Sequence, residues 1–394
     1  MANAVYLNEV GIVCALGVDV ASARSGLFAQ APSGVRKSTA VLPSREFALG
    51  LVDGPLADCN VLPPPLRSRN NALLLTALKQ IRAGVDAALA RYGAHRVAVV
   101  LGTSTSGIAE AEEAIAHHQN HGHLPDVFHI NQLEMGSPAM ALSMLLGLAG
   151  PSTVISTACS SSAKSMVSAA RMLRGGFCDA AICGGIDSVS GFTLAGFLSL
   201  EAISPERCNP LSANRSGINL GDGGALFLMT REPGPVRLAG WGESSDAYHI
   251  SAPAPDGAGA SLAMSAALGV AGIAPNGIDY INLHGTGTPA NEAMESRAVA
   301  ALFGGGTPVS STKPLTGHAL GGAGALEAAF CWLTLHENDD GRLPPHWWDG
   351  AADPDLPPLH VVRPGETLGR PLEYAMSNSF AFGGSNAVLV LGRG

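Results

Sequence analysis

The hydrophobic positions along this chain change period repeatedly, and each change marks an element. HRVAVVLG (95–102) is nearly continuous in apolar residues and too short for a helix, so it reads as a buried strand. CDAAICGG (178–185), IDYINLHG (278–285) and the closing stretches AMSNS and NAVLVLG read the same way, as does the N-terminal MANAVYLNEVGIVCALG. Between them apolar residues recur at three- and four-residue spacing. NNALLLTALKQIRAGVDAALARYG (70–93) predicts a helix stopped by Gly93, and LAMSAALGVAG (262–272), EAMESRAVAALFG (292–304) and GALEAAFCWLTLHEN (324–338) predict three more. Strands alternating with helices predict an α/β protein with helices laid over sheets. The rhythm restarts after about residue 235, which divides the chain into 1–234 and 235–394 and suggests a duplication; no short tandem repeat accompanies it.

Two stretches break the rhythm. DGRLPPHWWDGAADPDLPP (340–358), rich in Pro and Asp, reads as a surface loop whose aromatics pack over the body. HHQNHGH (117–123) has the composition of a metal site, but its helical spacing is weak and no carboxylate or Cys supports it. A solvated loop is expected there, and no metal.

Composition narrows the function classes. With 394 residues, 46% hydrophobic and 14% charged, the chain must bury a large core. A net charge of −9 argues against nucleic acid as the main partner. Seven cysteines at scattered positions lack zinc or disulfide-framework spacing, which fits a reducing cytoplasm. The first basic residue is Arg24, so the apolar N-terminus lacks the charged region of a signal peptide. Nowhere do about eighteen apolar residues run uninterrupted, and no membrane span is expected.

One cysteine stands apart. In STACSSSAKSM (156–166) the β-branched PSTVISTA gives way to Ala163, Met166, Val167, Ala170 and Leu173 at helical spacing, placing Cys159 at a strand-to-helix turn. A buried Cys is usually packing. At a helix N-terminus, however, unsatisfied N–H groups and the helix dipole favour a thiolate, and a lowered pKa is expected. Two histidines offer proton-handling partners: His284 in YINLHGTGTP and His318 in STKPLTGHALGGAGALE, each beside glycines and Thr hydroxyls. Either alone reads equally well as a core histidine. SNSFAFGGSNA (377–387) adds a strand and a Gly-rich turn with Phe380 and Phe382, which either turns the chain or brings a backbone N–H to the thiol.

These four stretches, in this order, resemble the β-ketoacyl carrier-protein synthases of the elongating, decarboxylating type, and the resemblance spans nearly the whole chain. It rests on TACSSS with Cys159, HGTGTP with His284, KPLTGH with Lys313 and His318, and NSFAFGGSN with Phe380. The resemblance implies a thiolase-like fold, two βαβαβαββ halves in a five-layered α-β-α-β-α arrangement, dimeric through a strand near the nucleophile. It implies that Cys159 takes an acyl chain from acyl carrier protein, that His284 and His318 stabilise the enolate formed when malonyl-carrier protein loses carbon dioxide, and that the N–H groups of Cys159 and Phe380 form the oxyanion hole, with Phe380 as a gate. Lys313 and Glu327 match a charge-balancing pair, Thr286 and Thr288 match residues that bind the phosphopantetheine arm carrying the substrates, and Glu295 matches a buried structural acid. No bound cofactor is implied.

The chain departs from the family pattern at Asn291 and Glu292, at Pro210-Leu211-Ser212, at Asp222 where Glu is usual, and at Ala381 where the turn usually has Gly. None touches the Cys-His-His set; together with ANRSGINLG they resemble a subgroup making aryl polyenes and related polyketides. In some such systems the active subunit pairs with an inactive, chain-length-determining homologue, so a heterodimer stands beside the homodimer. The contrasting reading is that this chain is itself the non-catalytic partner. Arg67, Arg69, Arg171 and Arg174 are the candidates for docking an acidic carrier, and Thr105 and Ile108 for shaping the acyl tunnel.

Overall fold

The structure, a computed structural model, describes residues 4–394. The first half runs β1 (Tyr6–Cys14), α1 (Val20–Leu27), a small hairpin of β2 (Arg36–Ser38) and β3 (Phe47–Leu49), α2 (Arg69–Tyr92), β4 (Val97–Gly102), α3 (Ile108–His121), α4 (Ser137–Leu146), β5 (Ser152–Ile155), α5 (Ser161–Arg174), β6 (Ala180–Asp187), α6 (Gly191–Ser199) and β7 (Gly223–Thr230). The second runs β8 (Val236–Ser245), α7 (Ala258–Ala271), β9 (Tyr280–Asn282), α8 (Pro289–Phe303), β10 (Pro308–Ser310), α9 (Lys313–Thr316), α10 (Ala323–Leu335), β11 (His360–Val361), β12 (Tyr374–Ala381) and β13 (Ser385–Arg393).

Eleven strands form one sheet, and its seam is narrow: β1 and β8 share only the pairs Tyr6–Arg237 and Leu7–Val236. Outward from that seam the first half reads β1-β7-β6-β4-β5 and the second β8-β13-β12-β9-β10, with β11 added at the far edge. Both follow the order first-fifth-fourth-second-third. In both, the fifth strand is antiparallel to its two neighbours and the remaining pairs are parallel.

Residues that alternate along a strand face opposite sides, and here both sides are buried. Ala98 and Val100 of β4 join a central core with α5 and α10, while Val97, Val99 and Leu101 pack under α2 and α4. In the second half Met376, Val388 and Val390 pack under α7 and α8. The layers are therefore α2/α4, sheet, α5/α10, sheet, α7/α8, the expected five-layered arrangement.

Three expectations need correction. HHQNHGH is not a loop: His117, His118 and His121 form the last turns of α3, capped by Gly122 at φ 83°, because Ala111 and Ala114 anchor an apolar stripe that carries the helix onward. His284 does not end a strand, since β9 stops at Asn282 and the chain turns at Gly285 with φ 42°. The 340–358 segment is largely irregular, but its first part dives inward, with Leu343 and His346 buried and the His346 ring bridging the Ser311 N–H (3.0 Å) and the Pro210 carbonyl (2.9 Å).

Candidate active site

Equivalent positions in the two halves carry two of the candidate residues. Cys159 lies between β5 and α5, and His318 lies in the corresponding connection between β10 and α10. Each is set by a strained neighbour: Ala158 has φ 51° and Leu320 has φ 47°. Left-handed backbone at a residue with a Cβ costs about 1 kcal/mol or more, and such strain concentrates where a side chain must be aimed.

The aim is exact enough for a hydrogen bond. Cys159 Sγ lies 2.9 Å from His318 Nε2, and the His284 ring stands edge-on to His318 with centroids 5.4 Å apart. One donor atom from each of the three residues falls within 4.8 Å of the others, close enough that a thiophilic cation could also be held there. The main chain of His318 is locked by its N–H to the Asn219 carbonyl (2.7 Å) and by Gly221, whose N–H donates to the His318 carbonyl (3.0 Å). That of His284 is locked by its N–H to Glu295 Oε1 (2.8 Å) and by Lys313 Nζ, which donates to the His284 carbonyl (2.5 Å).

Lys313 and Glu327 form a buried ion pair directly behind His284. Burial lifts the Glu327 carboxyl to about 7 against the pull of that ammonium. Glu295 accepts from the N–H groups of His284 and Gly285 and from Asn291 and Asn378; burial lifts it too, to about 7, with the nearby Glu292 carboxylate adding to the rise. Glu292, one of the departures from the family pattern, accepts from the N–H groups of Leu211 and Gly287 and so ties a second variant segment to the HGTGTP turn.

Burial also sets the protonation of the reacting groups. It holds both imidazoles well below their ordinary range, with Lys313 adding to the effect, so both are neutral near pH 7. It pushes the Cys159 thiol up to about 12, although the Lys313 ammonium and the Phe382 N–H pull it back. The lowered pKa expected from the helix terminus is thus overturned. The Ser160 and Ser161 N–H groups are turned onto the Thr157 and Ala158 carbonyls, and Cys159 is largely buried. The group in contact with it is the His318 imidazole.

A second correction concerns the oxyanion donor. Phe380 lies inside β12, paired with Asn386, its ring buried 6.3 Å from that of His284. The backbone N–H aimed at the thiol belongs to Phe382, in the turn between β12 and β13. Its ring is half-buried on Phe197 at 5.6 Å. In FAFGG the two aromatics are one repeat apart, so sequence alone did not say which of them enters the turn.

A cavity of about 300 Å³ opens over these groups. Cys159, His284 and His318 line it with Phe382, Thr286 and Thr288, the two hydroxyls lying 3.1 Å apart. Thr105 is instead bound to Asp187 (2.9 Å) and is absent from the lining, as is Ile108. Three of the docking candidates already have structural partners: Arg67 reaches the Leu62 carbonyl (2.8 Å), Arg69 pairs with the buried Asp222 (2.5 Å), and Arg174 lies over Trp241. Arg171 is exposed and paired with Glu243 at 2.6 Å.

Sequence reasoning missed Asp187. It ends β6, is fully buried, and accepts from Thr103, Ser104, Thr105 and the Gly321 N–H, joining the connection after β4 to the one that carries His318. The signal was present: an acid closing a buried strand of small residues must have donors waiting.

Comparison with known proteins agrees with this geometry. Residues 70–233 match the family described as beta-ketoacyl synthase, N-terminal domain, and residues 236–346 its C-terminal domain. A 3-oxoacyl-[acyl-carrier-protein] synthase 2 of Staphylococcus aureus is 37% identical over 317 residues, covering 75% of this chain and 77% of the relative. The ketosynthase ApeO of Xenorhabdus doucetiae, solved in complex with its chain length factor ApeC, superposes with a TM-score of 0.92 at 44% identity, covering 100% of this chain and 98% of that one. A beta-ketoacyl synthase from Burkholderia phymatum STM815 superposes at 0.88 with 27% identity over the whole of both chains. With both halves matched and whole-length likeness to solved synthases, the chain belongs to the beta-ketoacyl synthase family, the condensing enzymes of fatty-acid and polyketide synthesis.

Proposed function

We propose that this chain is the catalytic subunit of a carrier-dependent condensing enzyme in which Cys159 is the nucleophile, and the contact of 2.9 Å between its sulfur and His318 Nε2 inside the cavity is the observation that carries the reading. In the first step an Nε2 without hydrogen accepts the thiol proton as sulfur attacks the acyl-carrier thioester. The proton leaves on the released carrier thiol, and the acyl group stays on Cys159. In the second step malonyl-carrier protein loses carbon dioxide. The electron pair left behind becomes an enolate, whose oxygen is met by an Nε2–H of His284 and by His318 once its single proton has exchanged from Nδ1 to Nε2. Both rings are neutral, so each can present one N–H without adding a charge. The enolate carbon attacks the Cys159 thioester, the Phe382 and Cys159 N–H groups receive the tetrahedral oxyanion, and the departing thiolate takes up one proton to regenerate the thiol.

Lys313 and Glu327 hold the His284 carbonyl, Glu295 fixes the HGTGTP turn, and Thr286 and Thr288 line the path of a phosphopantetheine arm. Phe380 acts by packing beside His284, and the gate passes to the ring of Phe382. The two halves divide at 234/235, between β7 and β8. Among the described residues all seven cysteines are free thiols, which supports a reducing cytoplasm, and no helix is long and apolar enough to cross a membrane.

Carrier protein and a second subunit complete the reading. β5 ends the sheet with an open edge, and Val127, Ile130, Met140 and Met144 are exposed on the segments leading to it. The 44% identical ketosynthase was solved with its chain length factor, which favours a heterodimer and a polyketide-type pathway, the aryl-polyene group among them, over a homodimer of fatty-acid synthesis.

Intact-protein mass spectrometry of wild type and Cys159→Ala, with a panel of acyl-carrier proteins and then malonyl-carrier protein, tests the proposal. Acylation confined to wild type and discharged as an extended product supports it. Absence of acylation with every donor, with and without a co-expressed partner, makes the chain a scaffold subunit.

A further inference from the structure

The N–H of Phe382 belongs to the second half and the thiol to the first, so their separation must be fixed by contacts between halves. The turn carrying Phe382 is held on its own side by backbone: the Gly383 N–H donates to the Ile250 carbonyl (2.8 Å) and the Asp246 N–H to the Gly384 carbonyl (2.9 Å). Gly384 sits at φ 69°, and a Cβ there would come within 2.8 Å of the Asp246 Cβ, so the turn cannot shift toward that loop. The side facing the nucleophile is held differently. Ser385 closes the turn opposite Ala381, and its hydroxyl accepts from Lys164 Nζ at 2.7 Å, with Ser160 Oγ at 3.2 Å. Ser160 follows Cys159 directly, and Lys164 lies about one turn further along α5.

The geometry points to Lys164 as a positioning residue: its ammonium latches Ser385, and with it the Phe382 turn, against the nucleophile's helix, setting the distance between the thiol and its oxyanion donor. A charged donor makes a stronger bond to a hydroxyl than a neutral one does. The site keeps that charge useful, since Lys164 is half-buried with the Glu243 carboxylate close by, itself paired with Arg171. Because the Phe382 ring leans on Phe197 at the cavity wall, release of the latch moves both the donor and the wall. Ala381, less free than glycine, stiffens the strand side of the same turn, which leaves the Ser385 side as the end that swings.

The inference rests on Cys159 as the nucleophile, and the test separates the two ideas. Lys164→Met keeps the aliphatic stem and removes the charged donor, while Lys164→Arg keeps a charged donor. Two rates are read for each: alkylation of Cys159 by iodoacetamide, located by peptide mass mapping, and single-turnover acyl transfer from acyl-carrier protein. Loss of one charge-assisted hydrogen bond predicts alkylation about tenfold faster and acyl transfer about tenfold slower in Lys164→Met, at an unchanged thermal midpoint and carrier KM, with recovery of both rates in Lys164→Arg. Alkylation at the wild-type rate in Lys164→Met, or both rates falling in step with the thermal midpoint, overturns the latch. Alkylation needs no acyl donor, so a latch effect on alkylation in a protein that never acylates counts against the condensing reading and not against Lys164.

Discussion

Helices α5 and α10 hold the same place in two halves of the same topology, and they are used in opposite ways. α5 is amphipathic: Arg171 reaches outward, half-buried Lys164 bonds Ser385 of the other half, and Cys159 stands just before its N-terminal end. All thirteen residues of α10 are buried, and its one charged side chain, Glu327, points at Lys313. They touch where Gly324 meets Ala163, an approach close enough that a Cβ on Gly324 would lie 2.9 Å from the Ala163 Cβ. The difference extends to the halves. All six histidines of the first half escape full burial, while His284, His318 and His346 of the second are buried together with Lys313 and three glutamates. The two halves share one strand order, yet only the second encloses its imidazoles in a low-dielectric box, while the first keeps an exposed helix face beside the thiol.

The most damaging way to break this comparison is to remove charge from the dry helix. Glu327→Ala leaves Lys313 buried and unpaired, and loss of one partner of such a pair costs about 3–5 kcal/mol. Urea denaturation should show that loss together with loss of condensation, because Lys313 also holds the His284 carbonyl. A cost below about 1 kcal/mol would mean that water reaches the pair and that α10 is not dry.

The next effect is a pH dependence located in the second half. Burial pushes His346 down to about 4, below its value in the unfolded chain. Between pH 6.5 and 4 the unfolded chain therefore binds the extra proton, and this histidine's contribution to stability falls as pH falls. His346→Gln loses the bridge between Ser311 and Pro210 and is the less stable protein at pH 7. It also loses the penalty, so its deficit relative to wild type should shrink by about 2 kcal/mol between pH 7 and pH 5. A deficit constant with pH would show that His346 titrates in the fold as it does in the unfolded chain.

Much of this was legible in the sequence, for reasons that differ by residue. The α2 helix and its Gly93 stop, the β4 strand and the turn holding Cys159 were carried by local periodicity, which tertiary packing reinforced. The pairing of Cys159 with His318 across 159 positions was only suggested by the Gly- and Thr-rich surroundings of the two histidines, and the resemblance made it specific. Local reasoning failed where burial decides. It gave the thiol a low pKa because a helix end is visible in sequence and desolvation is not, and it could not assign Asp187, whose donors come from two segments far apart in the chain. The choice between Phe380 and Phe382 depended on where β12 stops, and strand ends are set by pairing across the sheet.

The smallest predicted effect sharpens the comparison from the wet side. Arg171 of α5 is the closest counterpart, in charge and pairing, to Glu327 of α10, yet its ion pair with Glu243 leaves the guanidinium side chain 55% exposed. Exposed pairs contribute little because water screens the attraction and ordering two long side chains offsets the rest, so Arg171→Ala should cost less than about 1 kcal/mol. That makes it a clean probe of docking: with stability unchanged, a raised KM for acyl-carrier protein at constant kcat, weakening further with added salt, would place the carrier on the outer face of α5. Unchanged KM would place it elsewhere and leave Arg171 a solvated ion pair. A stability loss approaching that of Glu327→Ala would mean that α5 is as buried in solution as α10, covered on its outer face by a second subunit, and the asymmetry between the halves would then belong to the isolated chain alone.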